Sequence, residues 1–297
     1  MARTFGTCVA HPAWKVLFMK APITNALTID VEDYFQVSAL ADYFPRTEWD
    51  QVPCRVERNV DLILSLLEEH GAKATFFTLG WIADRYPALI GRITGAGHEL
   101  ASHGYGHERA SAQTPVSFRD DVSRAKKILE DLSGQRVTGY RAPSFSIGAG
   151  NLWAHDCLVE AGYEYSSSIY PVKHDHYGMP DAPRFAYRLN NGLMEIPVTT
   201  MRWMGRNWPA GGGGYFRLLP YGVSRWQIEK VNRDDKRPAI FYFHPWEVDP
   251  DQPRVRQAAA KAKFRHYVNL DRTEHRLRRL LADFKWGRAD HVFRDAA

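Results

Sequence analysis

The sequence contains few cysteines: three among 297 residues, at Cys8, Cys54 and Cys157. They are odd in number, widely spaced and outside any CxxC pair. This pattern excludes a disulfide framework and a metal site built from cysteines. We therefore expect reduced thiols.

The sequence also lacks a long apolar run. The longest early apolar stretch, Val16 to Met19, is far too short to cross a bilayer, and no secretory cleavage pattern follows it. We therefore expect a cytoplasmic protein without a transmembrane helix.

Neither charge sign dominates, because the sequence has 39 basic and 34 acidic residues and a formal net charge of +5. We expect no nucleic-acid partner. The C-terminal region nevertheless carries a basic cluster, made of Arg254, Arg256, Lys261, Lys263, Arg265, Arg276, Arg278 and Arg279. This cluster either favours an anionic partner, such as a membrane surface or a diphosphate-linked glycan, or is a solvated helix face.

The composition, 44% hydrophobic and 25% charged, is typical of a protein with a well-packed core. Strand-like and helix-like patterns alternate: a strand at 26–31, a helical pattern from Val56 to Leu67 and a strand at 74–79 begin the series. Further strands are predicted near 98–101, 137–141, 194–198 and 239–244. The alternation predicts an α/β fold with parallel strands, either a barrel or an open doubly wound sheet.

Three segments are predicted. Residues 1–23 form an N-terminal segment, residues 24–250 a barrel, and residues 251–297 a helical C-terminal extension. Two long irregular stretches, 170–189 and 203–219, interrupt the alternation, and such stretches are often functional loops. From the loops at 174–184 and 211–217 we expect Tyr177, Tyr215 and Arg217 to contact the substrate, with glycines permitting close approach.

Two histidines, His103 and His107, lie four residues apart in the segment SHGYGH. On one helical turn they would face the same way, which suits two ligands of one metal. Carboxylates follow the first strand, at Asp30, Glu32 and Asp33. One of them would complete a site of two histidines and one carboxylate.

Four segments in this order carry a family resemblance: TIDVED at 28–33, GHELASH at 97–103 with His107, RAP at 141–143, and YFH at 242–244. They resemble the motifs of the NodB-homology polysaccharide deacetylases, carbohydrate esterase family 4. Residues 30–37, 174–184 and 264–284 resemble a narrower branch, the deacetylases of exosortase-associated exopolysaccharide loci. The resemblance implies a distorted (β/α) barrel.

The resemblance also implies roles. Asp30 is the expected general base, held and kept ionised by Arg141. His103 and His107 are the expected ligands of one divalent metal, with zinc as the expected ion. His244 is the expected general acid. A backbone N–H near Ser144 is expected to stabilise the oxyanion.

The sequence departs from the family pattern at two places. The usual adjacent Asp pair is replaced, so either Glu32 or Asp33 is the carboxylate ligand. The segment that normally supplies an acid beside the catalytic histidine is replaced by residues 163–170. The serine run in this segment, Ser166-Ser167-Ser168, contains no acid. Glu247 or Asp249 is therefore expected to tune His244.

The expected substrate is an N-acetylated amino sugar of a bacterial exopolysaccharide or of its lipid-linked precursor, and Trp246 is a further candidate for stacking on a sugar. A lipid-linked substrate is compatible with peripheral association at the inner membrane surface. Two other functions remain open: an amidohydrolase or deformylase for a small amide, and a carbohydrate-binding protein without catalysis on the same scaffold.

Overall fold

The structure is a computed structural model that describes residues 23–174 and 177–294. These residues form eleven strands and ten α-helices. The strands are β1 Thr24–Val31, β2 Thr75–Thr78, β3 Glu99–Ser102, β4 Gly139–Tyr140, β5 Tyr165–Ser166, β6 Tyr187–Arg188, β7 Met194–Glu195, β8 Thr200–Trp203, β9 Arg206–Pro209, β10 Ile240–Phe243 and β11 Lys285–Gly287. The helices are α1 Val56–Glu69, α2 Gly80–Arg85, α3 Pro87–Gly95, α4 Pro115–Ser133, α5 Ala154–Glu160, α6 Gly214–Leu218, α7 Tyr221–Lys230, α8 Ala260–Tyr267, α9 Thr273–Asp283 and α10 Ala289–Val292.

One sheet organises the fold. Its strands follow the order β10-β1-β2-β3-β4-β5-β7-β6, and all neighbours on this path are parallel except β6 and β7. Strand β1 is buried along its whole length apart from Thr24, as expected for a parallel strand covered on both faces. Strands β8 and β9 form a separate antiparallel hairpin.

The predicted α/β fold of the barrel type is confirmed, in the form of a curled, largely parallel half-barrel sheet. Within the described residues, the two end strands β10 and β6 do not pair with each other. Among residues 23–174 and 177–294, this sheet holds nine strands. None of the helices in the described part of the chain is both long enough and apolar enough to span a membrane.

The C-terminal segment carries the expected helices α8, α9 and α10, and it also contributes a strand that the sequence did not predict. Strand β11 pairs in parallel with the first half of β1, at Thr24 to Ala26. The division at residue 250 stays a prediction, and residues 1–22 of the predicted N-terminal segment lie outside the described residues. Cys54 and Cys157 are free thiols, as expected, and Cys8 lies outside the described residues.

Strand register places reactive groups in one row at the carboxyl ends of the strands. Val31 of β1 pairs with Thr78 of β2, and Thr78 pairs with Ser102 of β3. Ser102 in turn pairs with Tyr140 of β4. The residues that follow in the chain therefore meet at one edge, where α/β folds build their sites; on β1, β3 and β4 they are Glu32, His103 and Arg141.

Strand β10 adds the last member from the other side of β1. Ile29 of β1 pairs with Phe243 of β10, so the next residues, Asp30 and His244, are neighbours. Motifs more than 200 positions apart in the sequence thus meet because a parallel sheet places them side by side.

Candidate metal and catalytic site

Three buried side chains form a cluster with the composition of a metal site. Glu32, His103 and His107 each offer a ligand atom, and these atoms lie within 4.8 Å of one another. The Nε2 atom of His107 lies 2.6 Å from Oε2 of Glu32. That carboxylate oxygen is buried, yet it accepts no well-formed hydrogen bond from any described residue. Two imidazoles and a carboxylate arranged in this way fit a divalent metal.

The two histidines come together in a different way from the one that their spacing suggested. Residues 103–109 form an irregular loop rather than a helical turn. Gly104 and His107 both have positive φ, of 75° and 52°, which folds the loop back on itself. The hydrogen bond from the backbone N–H of Tyr105 to Asp121 fixes this loop, at 3.0 Å.

Hydrogen bonds around the cluster fix the orientation of the ligand atoms. Nδ1 of His103 lies 2.8 Å from the carbonyl oxygen of Arg141. Because a carbonyl accepts only, Nδ1 carries the proton and Nε2 is left as a ligand. Burial lowers the pKa of His103 to about 4, so the ring is neutral at physiological pH.

Glu32 is the carboxylate of the cluster. Burial alone would raise the pKa of Glu32. The charges of His107 and His244 outweigh burial and lower the pKa below its usual value, so the carboxylate is ionised. The indole Nε1 of Trp246 donates a hydrogen bond to the Oε1 atom of Glu32, at 3.2 Å. This leaves Oε2 directed toward His107.

Asp33, the other candidate ligand, faces away from the cluster. Its Oδ1 accepts a hydrogen bond from the backbone N–H of Tyr34 at 2.7 Å, and its Oδ2 accepts from the Cys54 thiol at 2.9 Å. The backbone N–H of Arg55 also donates to Oδ2. With both oxygens engaged, Asp33 holds the end of β1 against the segment before α1.

Asp30 and Arg141 form the buried ion pair that the resemblance implied. Nη1 of Arg141 lies 2.6 Å from Oδ1 of Asp30 and also donates to the Thr28 hydroxyl at 2.8 Å. The remaining guanidinium hydrogens go to Ser167, whose carbonyl and hydroxyl oxygens accept at 3.1 Å and 3.0 Å. The serine run at 166–168, which contains no acid, therefore holds Arg141 in place through Ser167.

One residue that the sequence did not single out supports this run. Glu195, fully buried at the end of β7, accepts hydrogen bonds from the backbone N–H groups of Ser168 and Ile169, both at 2.8 Å. The Ser168 hydroxyl in turn accepts from the N–H of Ala142. No sequence signal pointed to Glu195, because its partners are 26 and 27 residues away in an irregular segment.

His244 is held by a carboxylate on its far side. Its Nδ1 lies 2.6 Å from Oε1 of Glu247, while its Nε2 lies 3.9 Å from Asp30 and 3.7 Å from Glu32. Burial acts to lower the pKa of His244, but the charges of Glu32, Glu247 and Asp30 outweigh it and raise the pKa to about 9. His244 is therefore an imidazolium whose Nε2–H faces the cavity.

Of the two acids proposed to tune His244, Glu247 contacts it and Asp249 does not. Asp249 instead forms an ion pair with Arg55. Burial would raise the pKa of Glu247, yet Arg217 and His244 together lower it to about 2. The charged row thus runs from Arg217 through Glu247 to His244.

Arg217, which the sequence analysis placed on the substrate, lies in the wall of the cavity with its guanidinium bound to other protein groups. Its side chain is buried, and Nε lies 2.5 Å from Oε2 of Glu247. Its other guanidinium hydrogens go to three backbone carbonyls, those of Arg265, His266 and Val268. Because α6 turns this side chain inward beneath the C-terminal segment, Arg217 joins that segment to the site.

Trp246, also predicted to contact the substrate, lines the cavity with its ring largely buried. His244 stacks on it at 5.3 Å and His266 at 4.3 Å between ring centroids, with interplanar angles of 19° and 13°. The contact with a sugar stays a prediction, and Trp246 also orients Glu32 through its indole N–H.

A cavity of about 610 Å³ opens over these groups. All five predicted substrate contacts line it: Ser144, Tyr177, Tyr215, Arg217 and Trp246. Ser144 has a positive φ of 54°, and its hydroxyl lies 2.7 Å from that of Ser38. The ring of Tyr177 stacks on that of Tyr170 with centroids 5.7 Å apart. Part of the wall comes from the C-terminal segment, at Lys261, Phe264, Arg265, His266 and Val268.

The first three glycines of the run at 211–214 are tightly packed rather than freely flexible. The backbone N–H of Tyr242 donates to the carbonyl of Gly211 at 2.7 Å, and the N–H of Gly213 donates to the carbonyl of Tyr242 at 2.9 Å. A Cβ on Gly212 would meet the Tyr242 carbonyl oxygen at 2.2 Å. These glycines let the chain lie directly against β10.

Comparisons with known proteins agree with this geometry. Residues 47–165 match the family model described as Polysaccharide deacetylase. Residues 167–294 match a second model, described as a domain of unknown function (DUF3473). The first match contains His103, His107 and Arg141 of the site. Asp30 and His244 lie outside that match, and strands β1 and β10 bring them to the site.

Curated relatives match about a third of the chain. A peptidoglycan deacetylase of Helicobacter pylori is 29% identical over 113 residues, 38% of either chain. A peptidoglycan-N-acetylglucosamine deacetylase of Bacillus cereus is 33% identical over 93 residues, 31% of this chain and 34% of its own. A chitooligosaccharide deacetylase of Bradyrhizobium is 29% identical and matches over 33% of this chain and 42% of its own. The chain therefore matches less than half the length of each of these relatives.

A solved structure matches nearly the whole chain. A Mycobacterium smegmatis protein assigned to the polysaccharide deacetylases superimposes with a TM-score of 0.59 at 22% identity, covering 93% of this chain and 91% of its own. At this identity the likeness supports the fold.

Proposed function

We propose that this protein is a metal-dependent hydrolase that removes N-acetyl groups from amino sugars of a glycan. One observation carries the proposal: a cluster of metal-ligand type, Glu32 with His103 and His107, shares one cavity with Asp30 and His244. Glu32, His103, Asp30 and His244 are each held by a further buried hydrogen bond or ion pair. A site so assembled serves hydrolysis better than binding alone.

Glu32, His103 and His107 would hold the metal, and we propose zinc as the ion. When bound, such a metal supplies a Lewis acid that polarises a carbonyl and acidifies water. The three side chains leave the cavity side open for water and substrate. Trp246 and the Arg141 carbonyl keep Glu32 and His103 in their ligand orientations.

Asp30 and His244 divide the proton transfers. Asp30, anchored by Arg141, takes a proton from the attacking water. His244, charged at neutral pH and held at Nδ1 by Glu247, donates its Nε2 proton to the departing amine. Glu247 remains ionised and keeps the ring in this orientation, since Arg217 neutralises its other oxygen.

The substrate class follows from the relatives and from the sequence. The matched curated proteins carry names that refer to peptidoglycan and to chitooligosaccharides, and both are chains of N-acetylated sugars. We propose an exopolysaccharide, or its lipid-linked precursor, as the glycan, because residues 30–37, 174–184 and 264–284 resemble the exosortase-associated branch. We further propose a cytoplasmic location at the inner membrane surface.

Acetate release from N-acetylglucosamine oligomers tests the reaction. Asp30→Asn and His244→Ala are expected to lower kcat by about 100- to 10,000-fold each, since each removes a general acid or base. Asp120→Asn, an exposed aspartate on α4, is the matched control. Both variants are expected to keep the fold and the parental metal content, and Asp30→Asn is expected to lower Tm because it leaves the buried Arg141 charge without its partner. Parental turnover in both variants, or release of formate from a small formamide instead of acetate, would contradict the proposal.

A further inference from the structure

The hairpin formed by β8 and β9 exposes an apolar cluster that the catalytic site does not use. Trp203 and Trp208 contact each other at 6.0 Å between centroids, and Trp226 of α7 meets Trp203 edge-on at 6.2 Å. Met204 forms the tip. Among the described residues, these four rank among the most exposed large hydrophobic side chains, with Met204 at 80%, Trp203 at 47%, Trp208 at 43% and Trp226 at 41%.

The tip residue occupies a backbone conformation that disfavours it. Met204 and Gly205 both have positive φ, of 49° and 75°, between the paired residues Trp203 and Arg206. Two-residue hairpin loops of this kind favour Asn-Gly or Gly-Gly, and a bulky side chain there is strained. Because an apolar side chain at a strained and exposed tip does not stabilise the fold, we infer that Met204 serves contact with another molecule.

Positive charge flanks the apolar tip. Arg202 and Arg206 stand on either side of the loop and are exposed. Across residues 23–174 and 177–294, neither arginine forms an ion pair, whereas Arg225 on α7 pairs with Glu229 and Asp283. The hairpin therefore presents tryptophan, methionine and two uncompensated arginines together.

We propose that the β8–β9 hairpin docks this protein on an anionic lipid bilayer, with Met204 and the tryptophan rings entering the interface and Arg202 and Arg206 meeting lipid head groups. Tryptophan favours the bilayer interface, and basic side chains are attracted to anionic lipid. A sugar-binding platform fits less well, because the three rings lie edge-on or tilted to one another. The most exposed side chain, Met204, also has no ring to stack on a sugar.

The hairpin is connected to the catalytic cavity. Asn207 of β9 donates a hydrogen bond to the carbonyl of Pro171 at 3.0 Å, three residues before His174, which lines the cavity. A docked hairpin would thus hold the cavity wall near the membrane, where a lipid-linked glycan is available. The inference rests on the proposed membrane-surface location, and the hydrolysis chemistry is independent of it.

Met204→Asn separates docking from folding. Asparagine tolerates a positive φ, so the variant is expected to be at least as stable as the parent. Flotation with full-length protein compares vesicles of phosphatidylcholine with vesicles that also contain phosphatidylglycerol. The parent is expected to bind the anionic vesicles, and Met204→Asn to bind about tenfold or more weakly, the factor for burying a methionine side chain. Val116→Asn, another exposed apolar position at 60%, is the matched control and is expected to bind like the parent.

Charge is tested with Arg202→Gln and Arg206→Gln, each expected to weaken anionic-vesicle binding about fivefold, the factor for about 1 kcal/mol per basic residue. Acetate release from soluble oligomers is measured in the same variants and is expected to be unchanged, so a failure of docking is distinguishable from a failure of the deacetylase proposal. Vesicle binding that is absent in the parent, or equal in Met204→Asn and the parent, would overturn the inference. Hairpin-dependent binding to soluble glycan in place of vesicles would overturn it as well.

Discussion

Replacing Arg217 with methionine separates the two roles considered for this residue. Arg217 is buried against Glu247, which in turn holds His244. Methionine keeps the apolar length of the side chain and removes its charge. The variant therefore leaves the Glu247 carboxylate buried with His244 as its remaining charged partner.

The expected loss of stability is large. Removing one partner of a buried ion pair costs about 3–5 kcal/mol, because the other charge is left uncompensated. Three backbone carbonyls, those of Arg265, His266 and Val268, also lose their donor. With an unfolding entropy of about 2.1 cal/mol/K per residue over 297 residues, this loss lowers Tm by about 5–8 °C.

The kinetic effect is expected in kcat. His244 keeps its contact with Glu247 but loses the fixed geometry that Arg217 provides, so kcat falls by about 10- to 100-fold, part of the contribution of a general acid. KM is expected to change by less than about twofold, since a change confined to kcat marks an interaction made in the transition state.

Calorimetry and steady-state acetate release measure both effects. Arg119→Met is the control, because Arg119 forms an exposed pair with Glu160 and surface pairs contribute about 1 kcal/mol or less. If Arg217→Met retained parental stability and raised KM at unchanged kcat, Arg217 would contact the substrate, as its sequence position suggested, and the positioning role would be refuted.

Three further changes test other parts of the structure. Trp246→Phe removes the N–H donor to Glu32 and keeps a ring between His244 and His266, so the Kd for metal is expected to rise about 10- to 100-fold in a chelator-competition titration; an unchanged Kd would show that the indole does not orient the ligand. Gly212→Ala places a Cβ 2.2 Å from the Tyr242 carbonyl oxygen at a φ of +107° and is expected to lower urea-unfolding stability by more than about 2 kcal/mol, while Gly222→Ala, which meets nothing within 4 Å, is expected to be neutral or stabilising; equal stabilities would refute the close packing of the glycine run. Burial lowers the pKa of His98 from 6.5 to about 4, and its neutral Nδ1 accepts a hydrogen bond from the Ala74 N–H at 3.2 Å. Its contribution to stability is therefore present above pH 6.5 and is lost as the pH falls toward 4. His98→Gln is expected to flatten the fall in stability over that window, and an unaltered pH profile would contradict this.

The row of site residues was predictable because it depends on strand ends. Asp30, His103, Arg141 and His244 each lie in or directly after an apolar segment of strand character, and parallel pairing brings such positions to one edge. The contact between Asp30 and Arg141 followed from the family resemblance and is present at 2.6 Å.

The choice between Glu32 and Asp33 was beyond the sequence. It depends on which carboxylate finds local donors, and Asp33 finds them in Tyr34, Cys54 and Arg55. Local hydrogen bonds also decide the loop of His103 and His107, where positive φ angles replace the helical turn that the spacing suggested.

Long-range contacts account for what the sequence did not predict. Arg217 lies on the short helix α6 and Glu247 lies 30 residues later, so no periodicity related them. Trp246 is a candidate for contact with a sugar, and no local pattern predicted that its ring packs against His266 of the C-terminal segment. Strand β11 has three residues and no alternation long enough to separate it from the preceding helix.

The most direct test of the central claim is acetate release from N-acetylglucosamine oligomers by the protein before chelation, after chelation, and after zinc is restored, with His103→Ala measured in parallel. We expect chelation to abolish acetate release, zinc to restore it in the parent, and His103→Ala to stay inactive with less than one bound metal per chain because one of its three ligands is missing. Acetate release that survives complete removal of the metal, or a His103→Ala variant that retains full metal and full activity, would contradict the claim.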